Sequence, residues 1–185
     1  WNNIIPASQL SYIMGNPPFL GARLMNSEQK SDVFMIFVGW KNAGNLDYVS
    51  CWYKKAADYI QGTNIQAAFV STNSITQGDS AAILWKPLFE DGVHIDFAYP
   101  TFRWDSESNT KAHVYCVIIG FSKGIVRTPK QIISDGLRKV VDNINAYLMD
   151  AANIFVESRS KPICNVPEIG IGNKPIDGGF YLFTK

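Results

Sequence analysis

Two consecutive prolines directly after a short apolar run constrain this chain more than any other feature. The stretch reads SYIMGNPPFLGA, in which residues 12–14 are the apolar run and Pro17 and Pro18 are the prolines. The run has the length and composition of the end of a buried strand. Proline lacks an N–H, fixes φ and displaces the residue before it from the helical region, so neither a strand nor a helix continues. We therefore expect a stiff, extended tetrapeptide, residues 16–19, at the carboxyl edge of a strand, where ligands bind in open α/β sheets.

This tetrapeptide carries groups that suit a planar substrate with an exocyclic amine. Asn16 offers an amide oxygen, Pro17 offers a carbonyl and Phe19 offers a flat apolar face. Two acceptors that bind both amine protons would draw the nitrogen lone pair out of conjugation and make it nucleophilic. The alternative is a proline-stiffened loop in which Phe19 is a core residue, and the four residues alone leave both interpretations open.

The NPPF sequence after a hydrophobic strand resembles the catalytic motif of S-adenosylmethionine-dependent amino-methyltransferases, most often of the DNA adenine-N6 class. Further stretches stand in the order found in the MmeI-like group of fused restriction and modification enzymes. They are NLDYV at 45–49, STNSITQG at 71–78, FRW at 102–104, VIIGF at 117–121 and GNKPIDGG at 172–179. The resemblance extends from about Tyr12 to the last residue.

The resemblance implies methyl transfer from S-adenosylmethionine to adenine N6 in a specific sequence of double-stranded DNA. It implies catalytic roles for Asn16, Pro17, Pro18 and Phe19, with Asn16 and Pro17 also beside the cofactor and Phe19 stacked on the target base. A fused or associated nuclease domain is a further expected partner. Glutamine and RNA methyltransferases also use NPPY or NPPF, so an RNA or protein-glutamine methyltransferase is one alternative. A non-catalytic module that binds DNA or a partner subunit is another.

Composition excludes several other classes of protein. The formal net charge of +1 is lower than is usual for a protein that grips DNA alone. The three cysteines include no CxxC pair, which suits a reduced, cytoplasmic protein. His94 and His113 lack neighbouring ligands, so we expect no metal site. Neither a signal peptide nor an apolar stretch of the ~20 residues that span a bilayer is present, so we expect no membrane association.

The region before Asn16 lacks the glycine-rich turn that holds the cofactor in a class I methyltransferase. Gly170 and Gly172 do not supply it, because Pro175 occupies the third glycine position. We therefore expect a fragment of a larger enzyme whose main cofactor-binding half lies upstream. The expected fold is α/β: the C-terminal half of a class I, Rossmann-like methyltransferase sheet that ends in an antiparallel strand, with an irregular C-terminal extension.

Periodicity and capping residues predict the individual elements. A helix from Ser27 to about residue 37 is favoured by the resemblance, although residues 33–38 would also suit a strand. A second helix is predicted from an N-cap at Asn45 to Ile60, followed by a strand at 65–71 that leads into a polar loop at 72–78. A third helix is predicted at 79–89, kinked or shortened by Pro87. Antiparallel strands are predicted at 93–98 and 112–121.

The predicted connection between the last two strands is a polar loop that holds Tyr99, Phe102 and Trp104. An enzyme that acts on a base within a duplex flips the base out and holds it between apolar or aromatic faces. Phe102 or Trp104 would supply the face opposite Phe19, and the sequence does not choose between them.

Basic residues follow residue 122, among them Lys123, Arg127 and Lys130. These would contact DNA phosphates, or would instead form the solvated face of a linker. We expect residues 143–155 to pack back on the domain, with a short helix as one option. Residues 162–185 resemble the passage into a target-recognition domain. The predicted division is therefore 1–122 for the catalytic half and 123–185 for the linker and the start of target recognition.

Overall fold

The computed structural model describes residues 1, 3–105, 113–124, 126–127, 129–159 and 161–167. In this part of the chain, six strands form one mixed sheet. The strands are β1 (Tyr12–Gly15), β2 (Gln66–Thr72), β3 (Val93–Asp105), β4 (His113–Lys123), β5 (Lys130–Ser134) and β6 (Leu137–Val141). Three helices accompany them: α1 (Ser27–Ile36), α2 (Ser50–Tyr59) and α3 (Gly78–Glu90). The α/β fold class is confirmed.

The strand order β1-β2-β4-β3-β5-β6 fixes which loops meet. β1 and β2 are parallel, and β4 lies between β2 and β3, antiparallel to both. The predicted antiparallel hairpin is therefore confirmed. Because β3 then runs in the same direction as β1 and β2, all three end at one side of the sheet. We call this side the carboxyl edge and the opposite side the amino edge.

Helix α1 confirms the helical alternative for the stretch after the tetrapeptide. Its N-cap is Asn26, one residue earlier than predicted. The Gln29 N–H donates to Asn26 Oδ1 at 2.9 Å, and the Asn26 N–H donates to Gln29 Oε1 at 3.0 Å. This reciprocal capping box satisfies two backbone donors that the helix leaves free.

Helix α2 begins later than predicted, because residues 43–45 form a 3-10 turn instead of capping the helix. The N-cap is Val49, which has no side-chain cap, and its N–H donates to Asp47 Oδ1 at 3.0 Å just before the helix. In α3, Pro87 does not shorten the helix, which continues to Glu90 before Gly92 adopts a φ of +82°. Pro87 lacks the N–H that would donate to the Ile83 carbonyl, but its own carbonyl accepts the Asp91 N–H at 3.0 Å, so the last turn is retained.

Aromatic side chains between the sheet and helices α2 and α3 form the centre of the core. Tyr53 and Trp85 are fully buried. The Tyr53 ring stacks on Phe121 with centroids 5.5 Å apart, and meets Trp85 edge-on at 5.4 Å. Trp85 donates its Nε1–H to the Ile75 carbonyl at 3.0 Å. The predicted role of the aromatic stripe of α2, to cover the sheet, is therefore confirmed.

Strand β3 corrects the prediction that Tyr99, Phe102 and Trp104 lie in a loop. Its pairing with β4 continues to Asp105, with a register shift between Tyr99 and Phe102. A bulge of this kind accommodates Pro100, which has no N–H to donate to a ladder. The three aromatic residues therefore stand on a paired ribbon.

The chain after residue 123 contains more regular structure than the predicted linker. β5 pairs in parallel with β3, and β6 completes the sheet. Residues 143–155 pack back as predicted, with Ile144, Ala146 and Leu148 buried, but they contain no helix. The boundary at 122–123 stays a prediction. The GNKPIDGG stretch and the rest of 168–185 lie outside the described residues.

Candidate active site at the carboxyl edge

The tetrapeptide and the polar loop lie side by side at the carboxyl edge. Gly15, the last residue of β1, is paired with Phe69, and β2 continues for three residues to Thr72. The loop at 72–78 therefore begins just beyond residues 16–19. This adjacency follows from the parallel pairing of two neighbouring strands.

Within the tetrapeptide, exposure differs from residue to residue. Asn16 and Pro18 are exposed, Pro17 is buried and Phe19 is half-buried against the core. Within the described part of the chain, the Asn16 side chain makes no hydrogen bond. An exposed amide with free hydrogen-bonding capacity is thus held between a strand end and a buried proline. The core contact of Phe19 agrees with the alternative interpretation of that residue and still leaves part of its ring accessible.

Asp47 connects the tetrapeptide to the loop. Its Oδ1 accepts the Leu20 N–H at 3.0 Å, and its Oδ2 accepts the Thr72 hydroxyl at 3.2 Å. The Tyr48 N–H also donates to the Leu20 carbonyl at 2.9 Å. Sequence reasoning treated Asp47 only as a first-turn residue of a helix and missed this role. The available signal was its place within the NLDYV stretch.

The loop at 72–78 is ordered by its own hydrogen bonds. Residues 73–76 form a 3-10 turn in which Thr76 donates its hydroxyl to the Asn73 carbonyl at 2.8 Å. Ile75 is buried, while Ser74 and Gln77 are exposed. The loop therefore presents polar side chains at the carboxyl edge on an ordered backbone.

Aromatic rings of β3 reach the same edge at a greater distance. The Phe102 ring lies 6.1 Å from Tyr99 and 6.3 Å from Trp104, centroid to centroid, and Trp104 is 48% exposed. Phe102 is paired with Cys116, which is paired in turn with Thr72. Three strand spacings of about 4.8 Å place β3 about 14 Å from β1. The structure thus brings Phe102 and Trp104 to the correct edge but not into contact with Phe19.

Residues 1–134 match the family model described as the DNA-methyltransferase domain of MmeI. This match covers more than half of the chain. The chain belongs to the MmeI DNA-methyltransferase family.

Two relatives are similar to nearly all of the chain. DNA methyltransferase A of Bacillus subtilis (strain 168) is 45% identical over 186 residues, which are 100% of this chain and 21% of that protein. A solved structure of the Type IIL restriction-modification enzyme MmeI in complex with DNA matches with a TM-score of 0.90 and 42% identity. That match covers 97% of this chain and 25% of that one. This MmeI-type domain thus spans between a fifth and a quarter of these relatives.

The basic residues predicted to contact DNA lie at the amino edge of the MmeI-type domain, away from Asn16. Lys123, at the end of β4, is buried and forms an ion pair with Asp91 at 2.6 Å. Lys130 is buried at the start of β5, and burial lowers the pKa of its ammonium. Arg127 donates to the Asn64 carbonyl at 2.6 Å. Lys123 and Arg127 thus have protein partners and Lys130 is buried, and a role of the three residues at DNA phosphates stays a prediction.

Neither a metal-binding cluster nor a membrane-spanning helix occurs among the described residues of the MmeI-type domain. The described residues contain no group of three or more His, Cys, Asp or Glu side chains that could hold a metal ion. No described helix is long and apolar enough to cross a membrane. The three cysteines are free thiols.

Proposed function

We propose that the complete protein transfers a methyl group from S-adenosylmethionine to N6 of an adenine in a specific sequence of double-stranded DNA. The observation that carries this proposal is the exposed Asn16 amide, which makes no hydrogen bond within the described part of the chain and lies at the carboxyl edge beside a second polar loop. Membership of a DNA-methyltransferase family supports the reaction class.

In the proposed mechanism, the tetrapeptide makes the target amine nucleophilic. Asn16 Oδ1 and the Pro17 carbonyl each accept a hydrogen bond from one of the two N6–H groups. The amine lone pair is thereby directed out of conjugation with the ring. Pro18 keeps the backbone extended, and Phe19 stacks on the base with the accessible part of its ring. The nitrogen would then form a bond to the methyl carbon as the carbon–sulfur bond breaks and S-adenosylhomocysteine leaves, and one proton would pass from the cationic nitrogen to solvent. Alignment of two bound reactants in this way can lower the barrier by roughly 7–11 kcal/mol.

The chemistry at the carboxyl edge fits the methyl-donor end of the cofactor, because Asn16 and Pro17 present oxygen acceptors there. When bound, S-adenosylmethionine supplies an electrophilic methyl group on a cationic sulfur. Asn16 and Pro17 would hold that end of it close to the amine. Since this chain spans only 21% to 25% of its relatives, we propose that the main cofactor-binding half lies elsewhere in the complete protein.

The target base must leave the duplex to reach Asn16, because N6 is engaged in base pairing. We propose that Phe102 and Trp104 receive the base or its neighbours on the side away from Phe19. Their rings stand in contact on a ribbon at the same edge, and the exposure of Trp104 leaves a face free. β1 and β3 are about 14 Å apart. The bound DNA must therefore span the gap between Phe19 and the two β3 aromatic residues, or the β3–β4 ribbon must move toward Phe19.

Two further partners belong to the proposal. The relative MmeI was solved with DNA and is a restriction-modification enzyme. We propose double-stranded DNA as the partner of this protein and a fused or associated nuclease domain as its second activity. A cytoplasmic location is part of the same proposal, because the proposed substrate is DNA.

Transfer of labelled methyl from S-adenosylmethionine to DNA tests the function in the complete gene product. We expect label in adenine, and Asn16→Ala should lower kcat by about 10²–10³-fold, the usual cost of removing one hydrogen-bonding group that acts in the transition state. The matched control is Asn45→Ala, another exposed asparagine outside the tetrapeptide, which should keep the wild-type rate.

Three results would overturn the proposal. Label in RNA or in protein glutamine would move the enzyme to another substrate class. Cofactor binding without any methylation would indicate a non-catalytic binding module. Full activity of Asn16→Ala would remove Asn16 from the mechanism.

A further inference from the structure

A buried carboxylate joins the two loops of the candidate active site. Asp47 is 8% exposed, and its oxygens accept hydrogen bonds from the Leu20 N–H, the Val49 N–H and the Thr72 hydroxyl. Among the described residues, it forms no ion pair. We propose that Asp47 is a positioning residue for methyl transfer, which fixes the NPPF tetrapeptide against the loop at 72–78. This inference rests on the proposed function.

The chemistry of the carboxylate explains why this residue type suits the position. Removing a charge from water without a cationic partner is costly, so such groups are kept where several donors compensate them. A carboxylate has about four acceptor sites on two oxygens and no donor of its own. It can therefore serve three donors that come from three different segments of the chain: the tetrapeptide, the entry to α2 and the end of β2.

The geometry shows how these contacts control the tetrapeptide. Gly15 fixes its first end through pairing with β2. Leu20 follows directly after Phe19 and is held on both sides, by its N–H to Asp47 and by its carbonyl to the Tyr48 N–H. Asn16 and the Pro17 carbonyl lie between two fixed ends. A displacement of about 1 Å at a reacting centre can lower a rate by about 10²-fold, so the loss of one end should be seen in the chemical step.

Three variants of the complete gene product test the inference: Asp47→Ala, Asp47→Asn and the control Asp32→Asn. Asparagine keeps an oxygen for the Leu20 and Val49 N–H groups, and its NH₂ can donate to the Thr72 hydroxyl. Asp32 accepts a hydrogen bond from the neighbouring Tyr48 hydroxyl at 2.6 Å but contacts neither loop. Amide hydrogen exchange at Leu20 measures the anchoring, and single-turnover methyl transfer at saturating DNA and cofactor measures its consequence.

We expect Asp47→Ala to accelerate exchange at Leu20 by about tenfold or more, since local opening sets the exchange rate. Methyl transfer should fall by about 10²-fold under conditions in which the variant is fully folded. Asp47→Asn should restore the protection of Leu20 and most of the rate, and Asp32→Asn should behave as the wild type. A merely structural role would not give this joint rescue.

Each other result overturns a specific claim. Unchanged protection of Leu20 in Asp47→Ala, or an unchanged rate in an active enzyme, overturns the positioning role alone. A rate in Asp47→Asn as low as in Asp47→Ala, with Leu20 still protected, shows that charge acts instead of position. A wild-type protein that transfers no methyl overturns the proposed function itself. If Asp47→Ala does not fold, Thr72→Val removes one donor, and a rate within about twofold of the wild type overturns the inference.

Discussion

At the scale of single residues, burial separates the three cysteines into two kinds. Cys51 and Cys116 are buried, whereas Cys164 is exposed. Burial, reinforced by the Asp32 carboxylate, raises the pKa of the Cys51 thiol to about 12. Burial also raises the pKa of Cys116. The thiolate is the reactive form of cysteine. Both buried thiols should therefore react slowly, because reagents cannot reach them and because they stay protonated.

Iodoacetamide should therefore distinguish the cysteines in the native protein. At pH 8 we expect alkylation of Cys164 and no alkylation of Cys51 or Cys116, as followed by peptide mass spectrometry. An increase from pH 7 to pH 9 should leave Cys51 unlabelled, because pH 9 is still far below its pKa of about 12. Cys164→Ser should take up no reagent until denaturant is added. Rapid native labelling of Cys51 would contradict this burial.

At the scale of elements, the packing of β3 against β4 depends on a glycine. Gly120 is paired with Phe97, whose ring lies directly over it. A Cβ at Gly120 would stand 2.0 Å from Phe97 Cε1 and 2.3 Å from Cδ1, both far inside contact distance. The absence of a side chain at this position thus lets the ring lie flat on the hairpin.

Gly120→Ala should lower the free energy of unfolding by about 1–3 kcal/mol, the usual cost of inserting a methyl group into a well-packed site. Gly44→Ala is the matched control, because no atom lies within 4 Å of its Cβ position and its φ is not positive. The control should change stability by less than about 0.5 kcal/mol. Equal urea midpoints for the two variants would show that the Phe97 ring moves away freely.

The same hairpin shows where sequence patterns suffice for elements and where they do not. The periodicity of α3 and the apolar run of β2 identified both elements within a residue or two. Residues 99–105 suggested a loop because Pro100 and polar neighbours interrupt the pattern, yet pairing with β4 across a bulge keeps them in a strand. β5 and β6 have only five residues each, and four of the five side chains of β6 are exposed, so pairing with a neighbouring strand is what makes them regular.

The candidate site shows a similar division. From the sequence, residues 16–19 and 72–78 were each expected to follow a strand, and the parallel pairing of those two strands is what brings them together. The role of Asp47 was out of reach, because its partners Leu20 and Thr72 are 27 and 25 residues away along the chain. The buried pairing of Lys123 was equally hidden, because Asp91 is 32 residues away. Contacts across such distances exist only once the sheet has formed.

At the scale of the whole molecule, each edge of the sheet contains a buried acid with a different task. Asp47 organises loops at the carboxyl edge, whereas Asp96 joins strands at the amino edge. Asp96 is 7% exposed, at the bulge after Ile95, and accepts hydrogen bonds from the Ser122 hydroxyl at 3.1 Å and the Gln66 amide at 3.3 Å. It thereby connects β2, β3 and β4, and its position suggests a role in stability that is separate from the candidate site.

The pH dependence of stability should reveal the Asp96 carboxylate. Its pKa in the folded protein is raised above the usual 3.8, chiefly by burial, although Ser122, Gln66, Lys130 and Arg127 oppose the shift. The folded protein therefore holds this proton more tightly than the unfolded chain does. As pH rises from about 3.8 through the folded pKa, the unfolded chain ionises first, so the contribution of Asp96 to stability falls.

Asp96→Asn removes this titration while its amide can still bond to Ser122 and Gln66. The free energy of unfolding of the wild type minus that of the variant, from urea titrations between pH 4 and pH 8, should decrease as pH rises and then become constant above the folded pKa. The nearby groups His94 and Lys130 are present in both proteins, so the difference reports mainly on Asp96. A difference that increases with pH would mean that the cations Lys130 and Arg127 outweigh burial, and that the amino edge is held together by ion pairing instead of by neutral hydrogen bonds.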